Sequence, residues 1–317
     1  MDATQGLRID RFFVEEEEAG ERVDRFLARK LGISRGLAQR LLREGAALVG
    51  GGWAEPARKL RPGEEVVVRW TGPGLVPTPF PIPIIYEDAA IVVVNKPRGL
   101  PVHPAGSAQR PTVVGALLAR GPLAGGPGDR PGVVHRLDAA VTGAMVLART
   151  EGAYHALVQQ FKERKVLKEY LAVVEGEIEV EEGVIKGRIG RDPHEPWRMD
   201  VREFGKEAVT EFSVLLRKEG KSLVLVRPLT GRTHQIRLHL GAIGHPVVGD
   251  PLYGRSAGPL LLHALRLGFV HPSAGDWREF QAPPPPEFDA WLAGLDSKHL
   301  PKTGRQPLPN RPTPQPG

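Results

Sequence analysis

Apolar residues along this chain recur with two different periods. Between Glu21 and Gly45 they fall at helical spacing, first as Val23, Phe26, Leu27 and Leu31, then as Leu37, Ala38, Leu41 and Leu42. Each set marks the buried face of a short helix. Gly32 supplies the stop for the first helix, Ser34 the N-cap of the second, and Gly45 its C-terminal stop. A short strand in "ALVGGGW", a Pro62-Gly63 turn and a strand in "EVVVRW" follow. Residues 21–70 therefore read as a small α/β unit. Residues 1–20, with the acidic run Glu15 to Glu18, read as a solvated arm or strand end ahead of it.

Beyond residue 84 the apolar runs shorten to strand length: "AIVVVNKP", "GAMVLAR", "KEYLAVVEG", "VTEFSVLLR" and "SLVLVRP". Helical patterns are fewer and are predicted chiefly over 112–119, 151–165 and 233–243. Strands in runs with interspersed helices predict an α+β domain, built over 84–295 on a mostly antiparallel sheet with flanking helices. The two units are joined by residues 71–83, "TGPGLVPTPFPIP", whose five prolines make a stiff, extended linker. From Ser297 onward the chain carries six prolines, four Lys or Arg and no acid, so 296–317 are predicted to be a disordered basic tail.

Composition narrows the chemistry. The chain has 317 residues and is 41% hydrophobic and 25% charged, as a globular protein should be. No run approaches the roughly 18 apolar residues of a membrane span, and the N-terminus lacks the basic start and apolar stretch of a secretion signal. A cytoplasmic protein is expected, with no membrane partner. The absence of cysteine excludes disulfides, thiolate metal sites and thiol nucleophiles. A net charge of +6 permits nucleic-acid binding, and its distribution sharpens the point. Arg22, Arg25, Arg29, Lys30, Arg35, Arg40 and Arg43 crowd the polar faces of the first two helices.

Several common sites can be dismissed. Gly220-Lys221-Ser222 looks like the end of a phosphate loop, but Leu215 stands where its first glycine is needed. His234 and His239 are five apart and do not share a helix face as paired metal ligands would, so neither metal nor cofactor is expected. More telling is "GVVHRLDAAVTGAMVLART". An apolar pair leads into His135-Arg136-Leu137-Asp138, and a second apolar run begins after Thr142-Gly143. A loop between strands needs turn formers, which Thr142-Gly143 supply, but it has no need of a carboxylate beside a guanidinium. Further along, "PLTGRTHQIRLH" follows a strand and opens a helix, with Thr233 as its expected cap. Ile236, Leu240 and Ile243 form that helix's core face and leave Arg237 free to point elsewhere.

The spacing of "YED…IVVVNKP", "GVVHRLD", "KEYLAVVEG", "GRTHQIRLHL…GHPVVGD" and "LLHALRLGFVHP", over about residues 84 to 290, resembles the RluA family of RNA pseudouridine synthases. The segment "ERVDRFLARKLGISRGLAQRLLREGAALVGG" in front resembles the S4 RNA-binding domain. The first resemblance implies that Asp138 is the catalytic carboxylate, that Arg136 enters the RNA helix in place of a flipped nucleotide, that Tyr170 stacks on the target uracil and that Arg237 pairs with the carboxylate. His135, Arg232 and His234 are expected against RNA. The second implies phosphate contacts from Arg22, Arg25, Ser34, Arg35, Arg40 and Arg43, with Ser34 and Arg35 at a helix start. Where the family usually continues with Lys-Asp-Thr-Ser-Gly, this chain has Ala139-Ala140-Val141-Thr142-Gly143, which bears on target choice. The expectation is a monomeric enzyme that isomerises uridine in large-subunit ribosomal RNA. Transfer RNA is the alternative substrate, and a non-catalytic RNA-binding or ribosome-assembly factor of the same fold the alternative role.

Overall fold

The computed structural model describes residues 8–70, 75, 77–104, 111–192, 195, 198–202 and 204–295. The tail expected to be disordered and most of residues 71–76 of the proline-rich linker lie outside that range. The chain divides into two compact units, one of residues 1–80 with 103–133, the other of 81–102 with 134–317.

In the first unit, β1 (Arg8–Phe13) pairs antiparallel with β3 (Glu65–Trp70), and β3 with β2 (Ala47–Val49). Residues 8–13 of the expected arm are therefore an edge strand, tied in further by Phe12 meeting Phe26 edge to face. Helices α1 (Val23–Leu31) and α2 (Arg35–Arg43) form where the periodicity places them. Val23, Phe26, Leu27, Ala38 and Leu42 are fully buried, packed with Val66 and Val68. Each such large aliphatic or aromatic side chain contributes about 1.5–3 kcal/mol. Gly32 ends α1 at φ +63, a left-handed conformation that glycine adopts at least cost.

Residues 103–133, placed within 84–295 by the sequence pattern, pack with this N-terminal unit instead. They carry α3 (Val113–Leu118), capped by Thr112, whose hydroxyl accepts from the Gly115 N–H. Asp129 then reaches the start of α2. Its carboxylate accepts the Ser34 backbone N–H at 2.6 Å and also the Ser34 hydroxyl. Alongside, Gly128 N–H donates to the Gly32 carbonyl at 2.7 Å, and a Cβ on Gly128 would lie only 3.2 Å from that oxygen.

The second unit is built on one large sheet. Its strands are β4 (Ile84–Glu87), β5 (Ile91–Lys96), β6 (Thr142–Ala148), β7 (Leu167–Glu175), β8 (Glu182–Arg191), β9 (Met199–Val201), β10 (Lys206–Lys218), β11 (Lys221–Pro228), β12 (Leu262–Val270) and β13 (Trp277–Gln281). The order is β4-β5-β6-β12-β7-β11-β10-β8-β9, with β13 beside β12. Every pairing is antiparallel except β6 with β12, which run parallel through His263↔Thr142 and Ala264↔Gly143. The α+β expectation holds for this unit. Thr142-Gly143 is not a turn, however; it opens β6. Gly143 is required there because at φ +116 a Cβ would sit 2.2 Å from the Ala264 carbonyl oxygen.

Among the described residues, three helices flank the sheet. Thr150 caps α4 (Glu151–Lys162), which buries Ala153 and Leu157 against Val93 and Val146. It stops short of the expected residue 165 because Arg164 turns left-handed at φ +59. α5 (Gln235–Ala242) packs Leu238 near Ile189 and Ala208. α6 (Asp289–Leu292) is a single turn beside the cluster around Leu171, Leu223 and Phe288. Among the described residues, no helix is long and apolar enough to cross a membrane.

Candidate active site

The loop entering β6 is held from beneath at both ends. Leu137 and Val141 are buried, which leaves Arg136 exposed and Asp138 partly exposed between them. Lys96, fully buried at the end of β5, ties this loop to the one after β5: its Nζ donates to the carbonyls of Pro97 at 2.9 Å, Leu100 at 3.0 Å and Ala139 at 2.9 Å. Three acceptors complement an ammonium's three donors. Burial nevertheless pulls this lysine down to about 7, against the opposing pull of Asp138. His135 ends its approach to the loop as a wall. Its Nε2 accepts the Val146 N–H at 3.1 Å and its ring stacks on Phe161 at 4.6 Å. Burial lowers it to about 3, so it stays neutral.

Across the loop lies α5. The expected cap, Thr233, is displaced by His234, which sits at the N-cap position in a left-handed conformation (φ 56). Nor is Arg237 free; only 4% exposed, it is bound through Nε and Nη2 to Asp250 at 2.7 and 2.6 Å. This fork-to-fork pairing leaves Nη1 for Asp138 Oδ2 at 3.3 Å. The contact between Arg237 and Asp138 that the family resemblance implies is the longer of the two. Ile236 and Leu240 are buried as expected, whereas Ile243 is 39% exposed.

β7 adds two groups on the cavity side, Lys168 and Tyr170, while Glu169 between them faces the opposite way. Burial, reinforced by Asp138, pushes the Tyr170 phenol up, so it remains protonated. Burial brings the Lys168 amine down to about 8, with Arg164 adding to the effect. These side chains line a cavity of about 540 Å³, with Arg136, Arg232 and His234 also on its walls. Arg232 donates its Nε to the Glu207 carbonyl at 3.0 Å.

The remaining expected residues belong to the N-terminal unit. Arg22, through Nε and Nη2, and Arg35, through Nε, converge on the buried Asp24, as does Gln39. Arg25 is exposed, Arg40 half-buried, and Arg43 exposed with Nη2 on the Gln39 side chain. Ser34 requires a correction. It caps α2 by accepting the Leu37 N–H, but it is 5% exposed and its own N–H and hydroxyl are taken by Asp129, so nothing of it is left for an RNA phosphate.

Sequence reasoning missed Asp250 and Tyr253. Asp250 accepts the backbone N–H groups of Leu252 and Tyr253 at 2.9 and 3.0 Å as well as Arg237. In "GDPLYG" a carboxylate among turn formers reads as a turn cap, which it also is. Only the arginine thirteen residues earlier gives it a second duty.

An arginine-faced carboxylate and a tyrosine ring thus line one cavity. Residues 90–242 match the family model described as RNA pseudouridylate synthase. The chain is 42% identical over 311 residues to a protein of Aquifex aeolicus described as an uncharacterized RNA pseudouridine synthase, covering 92% of this chain and 98% of that one. It is 41% identical over 309 residues to the ribosomal large subunit pseudouridine synthase D of Neisseria meningitidis, covering 89% and 82%. Among solved structures, human RNA pseudouridylate synthase domain containing 1 superposes with a TM-score of 0.56 at 32% identity, covering 66% of this chain and 87% of that one. The chain belongs to the RNA pseudouridine synthase family.

Proposed function

We propose that this enzyme isomerises uridine to pseudouridine in large-subunit ribosomal RNA in the cytoplasm, with Asp138 as the reacting carboxylate. The observation that carries the reading is the approach of Arg237 Nη1 to Asp138 Oδ2, 3.3 Å apart, at the wall of a cavity that Tyr170 also lines. The ribosomal target is taken from what the Neisseria relative is said to modify.

The chemistry uses these groups in turn. Uridine must leave its stack, which costs a few kcal/mol; Arg136, exposed at the loop tip, offsets part of that loss by filling the gap. Tyr170 takes the flipped uracil on its ring face. Asp138, oriented by Arg237, either attacks C1′ or removes the C2′ proton, and the N1–C1′ bond breaks. The base turns and C5 joins C1′, either displacing the Asp138 carboxylate from C1′ or with Asp138 returning the C2′ proton, and the proton on C5 is released while N1 gains one. No cofactor enters these steps.

Residues 21–70 act as an S4-type RNA-binding domain in this reading, joined by 71–83 to the catalytic domain. Arg22, Arg25, Arg35, Arg40 and Arg43 supply phosphate contacts. Arg35 is well placed for this, because it uses only Nε on Asp24 and is 45% exposed at its side chain. The enzyme works as a monomer in this reading.

Asp138→Asn is the test. It keeps size and hydrogen-bond acceptance but removes the charge and the nucleophile. Tritium release from 5-tritiated uridine in ribosomal RNA should fall by roughly 10⁴-fold or more, with RNA retention on filters unchanged. Wild-type release from a folded Asp138→Asn protein would remove Asp138 from the mechanism.

A further inference from the structure

Asp138 has a second neighbour that the pairing with Arg237 does not explain. His234 Nε2 lies 3.6 Å from Asp138 Oδ2, the same oxygen that Arg237 Nη1 approaches. The opposite ring nitrogen, Nδ1, is 2.8 Å from the hydroxyl of Tyr253. That hydroxyl already accepts the Met199 backbone N–H at 3.0 Å, and its ring lies under the guanidinium of Arg237 at 5.1 Å. His234 itself is in a left-handed conformation that a non-glycine residue rarely adopts. Local strain of this kind persists where the surroundings over-determine it.

The partners along this chain of atoms favour one tautomer. With one lone pair of the Tyr253 oxygen occupied by Met199, its hydrogen is free to go to His234 Nδ1, making Nδ1 an acceptor. Neutral imidazole then carries its hydrogen on Nε2, facing Asp138. The alternative tautomer would set a nitrogen lone pair against a carboxylate oxygen, an unfavourable meeting. Burial holds the imidazole below its usual range, with Arg237 and Arg136 adding to that and Asp138 and Asp250 opposing it. The 3.6 Å separation is longer than a hydrogen bond. Catalytic contacts are commonly long before substrate closes the site.

We propose that His234 and Tyr253 form a positioning pair for the reaction: Tyr253 fixes the imidazole, and the imidazole N–H and Arg237 together hold Oδ2 of Asp138, presenting Oδ1 to the sugar. Oδ1 accepts no hydrogen bond among the described residues. This gives His234 a duty different from the RNA contact expected from its motif. It rests on Asp138 being the reacting carboxylate, and its two tests separate the contact from that reading.

The first test needs no substrate. In full-length protein labelled with ¹⁵N at the imidazoles, His234 should show the Nε2–H tautomer, and Asp138→Asn should lower its titration midpoint because a negative neighbour is gone. A Nδ1–H tautomer, or a midpoint indifferent to Asp138→Asn, overturns the proposal. The second test is kinetic, with ribosomal RNA as substrate. His234→Ala should lower kcat roughly tenfold or more with KM within about twofold, and Tyr253→Phe should do so to a lesser degree. His234→Gln, whose amide places an N–H near the Nε2 position, should recover part of the loss. A rise in KM at constant kcat would instead make His234 an RNA contact. If wild-type protein released no tritium, the reading of Asp138 would fall, while the titration would still decide whether His234 meets it.

Discussion

Two regions of this molecule set a carboxylate among arginines, and they do opposite things with it. In the N-terminal unit, Asp24 is closed on all sides. Arg22 donates to both of its oxygens at 3.1 Å, Arg35 Nε adds a bond at 2.9 Å and Gln39 one at 2.6 Å, and the carboxylate side chain is 0% exposed. In the second unit, Asp138 meets Arg237 through one oxygen at 3.3 Å and keeps 20% of its side chain exposed. The arginine beside it is bound more firmly elsewhere, to Asp250. A closed carboxylate is a rivet: it anchors α1 to α2 and turns arginine side chains to solvent. An open one, oriented by a guanidinium that another acid holds still, retains an unbonded oxygen. The number of unused oxygens, rather than the residue types, separates the two.

Glu169 offers the sharpest way to break that distinction, because it lies beside Tyr170 on β7 yet belongs with the rivets. It is fully buried, and accepts Arg227 Nη2 at 2.6 Å and Arg266 Nε at 2.8 Å, with Arg266 Nη2 also in contact. Glu169→Gln leaves Arg266, 4% exposed, with Glu279 as its remaining acid at 3.2 Å. Breaking a buried ion pair on one side costs about 3–5 kcal/mol, so urea unfolding should shift by that amount. Tritium release per folded molecule should stay at the wild-type level. A large loss of turnover with unchanged stability would place Glu169 in the catalytic machinery and dissolve the contrast.

How far the sequence alone carried this contrast depends on how local each signal is. The helices of the first unit follow from apolar spacing and from Gly32 and Ser34, because those features act within a few residues. The strands of the second unit were legible as short apolar runs. Asp138 stood out because nothing about a turn explains a charge there. What stayed hidden depends on contacts between distant residues. Ser34 reads as an exposed cap until Asp129, ninety-five positions later, covers it. Gly143 reads as a turn until β12 is placed beside it. His234 displaces Thr233 as the start of α5 because Tyr253 holds its ring, a constraint that no cap preference encodes. The packing of 103–133 with the N-terminal unit likewise has no periodic signature. It also means that removing residues 1–70 would strip Gly128 and Asp129 of their partners Gly32 and Ser34, so point substitutions probe that unit more cleanly than truncation.

Asp24 itself gives a smaller and pH-dependent effect. Burial pushes its carboxyl up, but Arg22, Gln39 and Arg35 together outweigh this and bring it to about 2, against 3.8 in the unfolded chain. A carboxyl with a depressed folded value contributes stability above its unfolded value and loses it as pH falls toward the folded one. The wild type should therefore exceed Asp24→Asn by about 1–2 kcal/mol near neutrality, allowing for solvent screening. The gap should close between about pH 4 and pH 2. Urea titrations of both proteins across that window measure it. A gap independent of pH would mean that shape, not charge, makes Asp24 a rivet.

The smallest effect separates arginines that are held from those that are exposed, and it tests the RNA-binding role proposed for this unit. Arg25 and Arg43 are exposed, and neither touches Asp24. Each phosphate contact in a duplex contributes nearly one unit to the slope of log affinity against log salt, and rather less on single strands. Arg25→Ala with Arg43→Ala should therefore flatten that slope by about one to two units. Affinity should weaken several-fold at low salt and hardly at all at high salt, with the urea midpoint unmoved. The comparison with Arg22→Ala matters most. Arg22 spends Nε and Nη2 on Asp24, so its loss should lower stability first and the salt slope less than the exposed pair does. Filter binding of ribosomal RNA fragments from 50 to 400 mM salt, run beside urea unfolding for each variant, reads both quantities. Should Arg22→Ala change only the slope and leave stability alone, the Asp24 cluster would be an RNA-binding surface that happens to contain an acid, and the contrast with Asp138 would narrow to exposure alone.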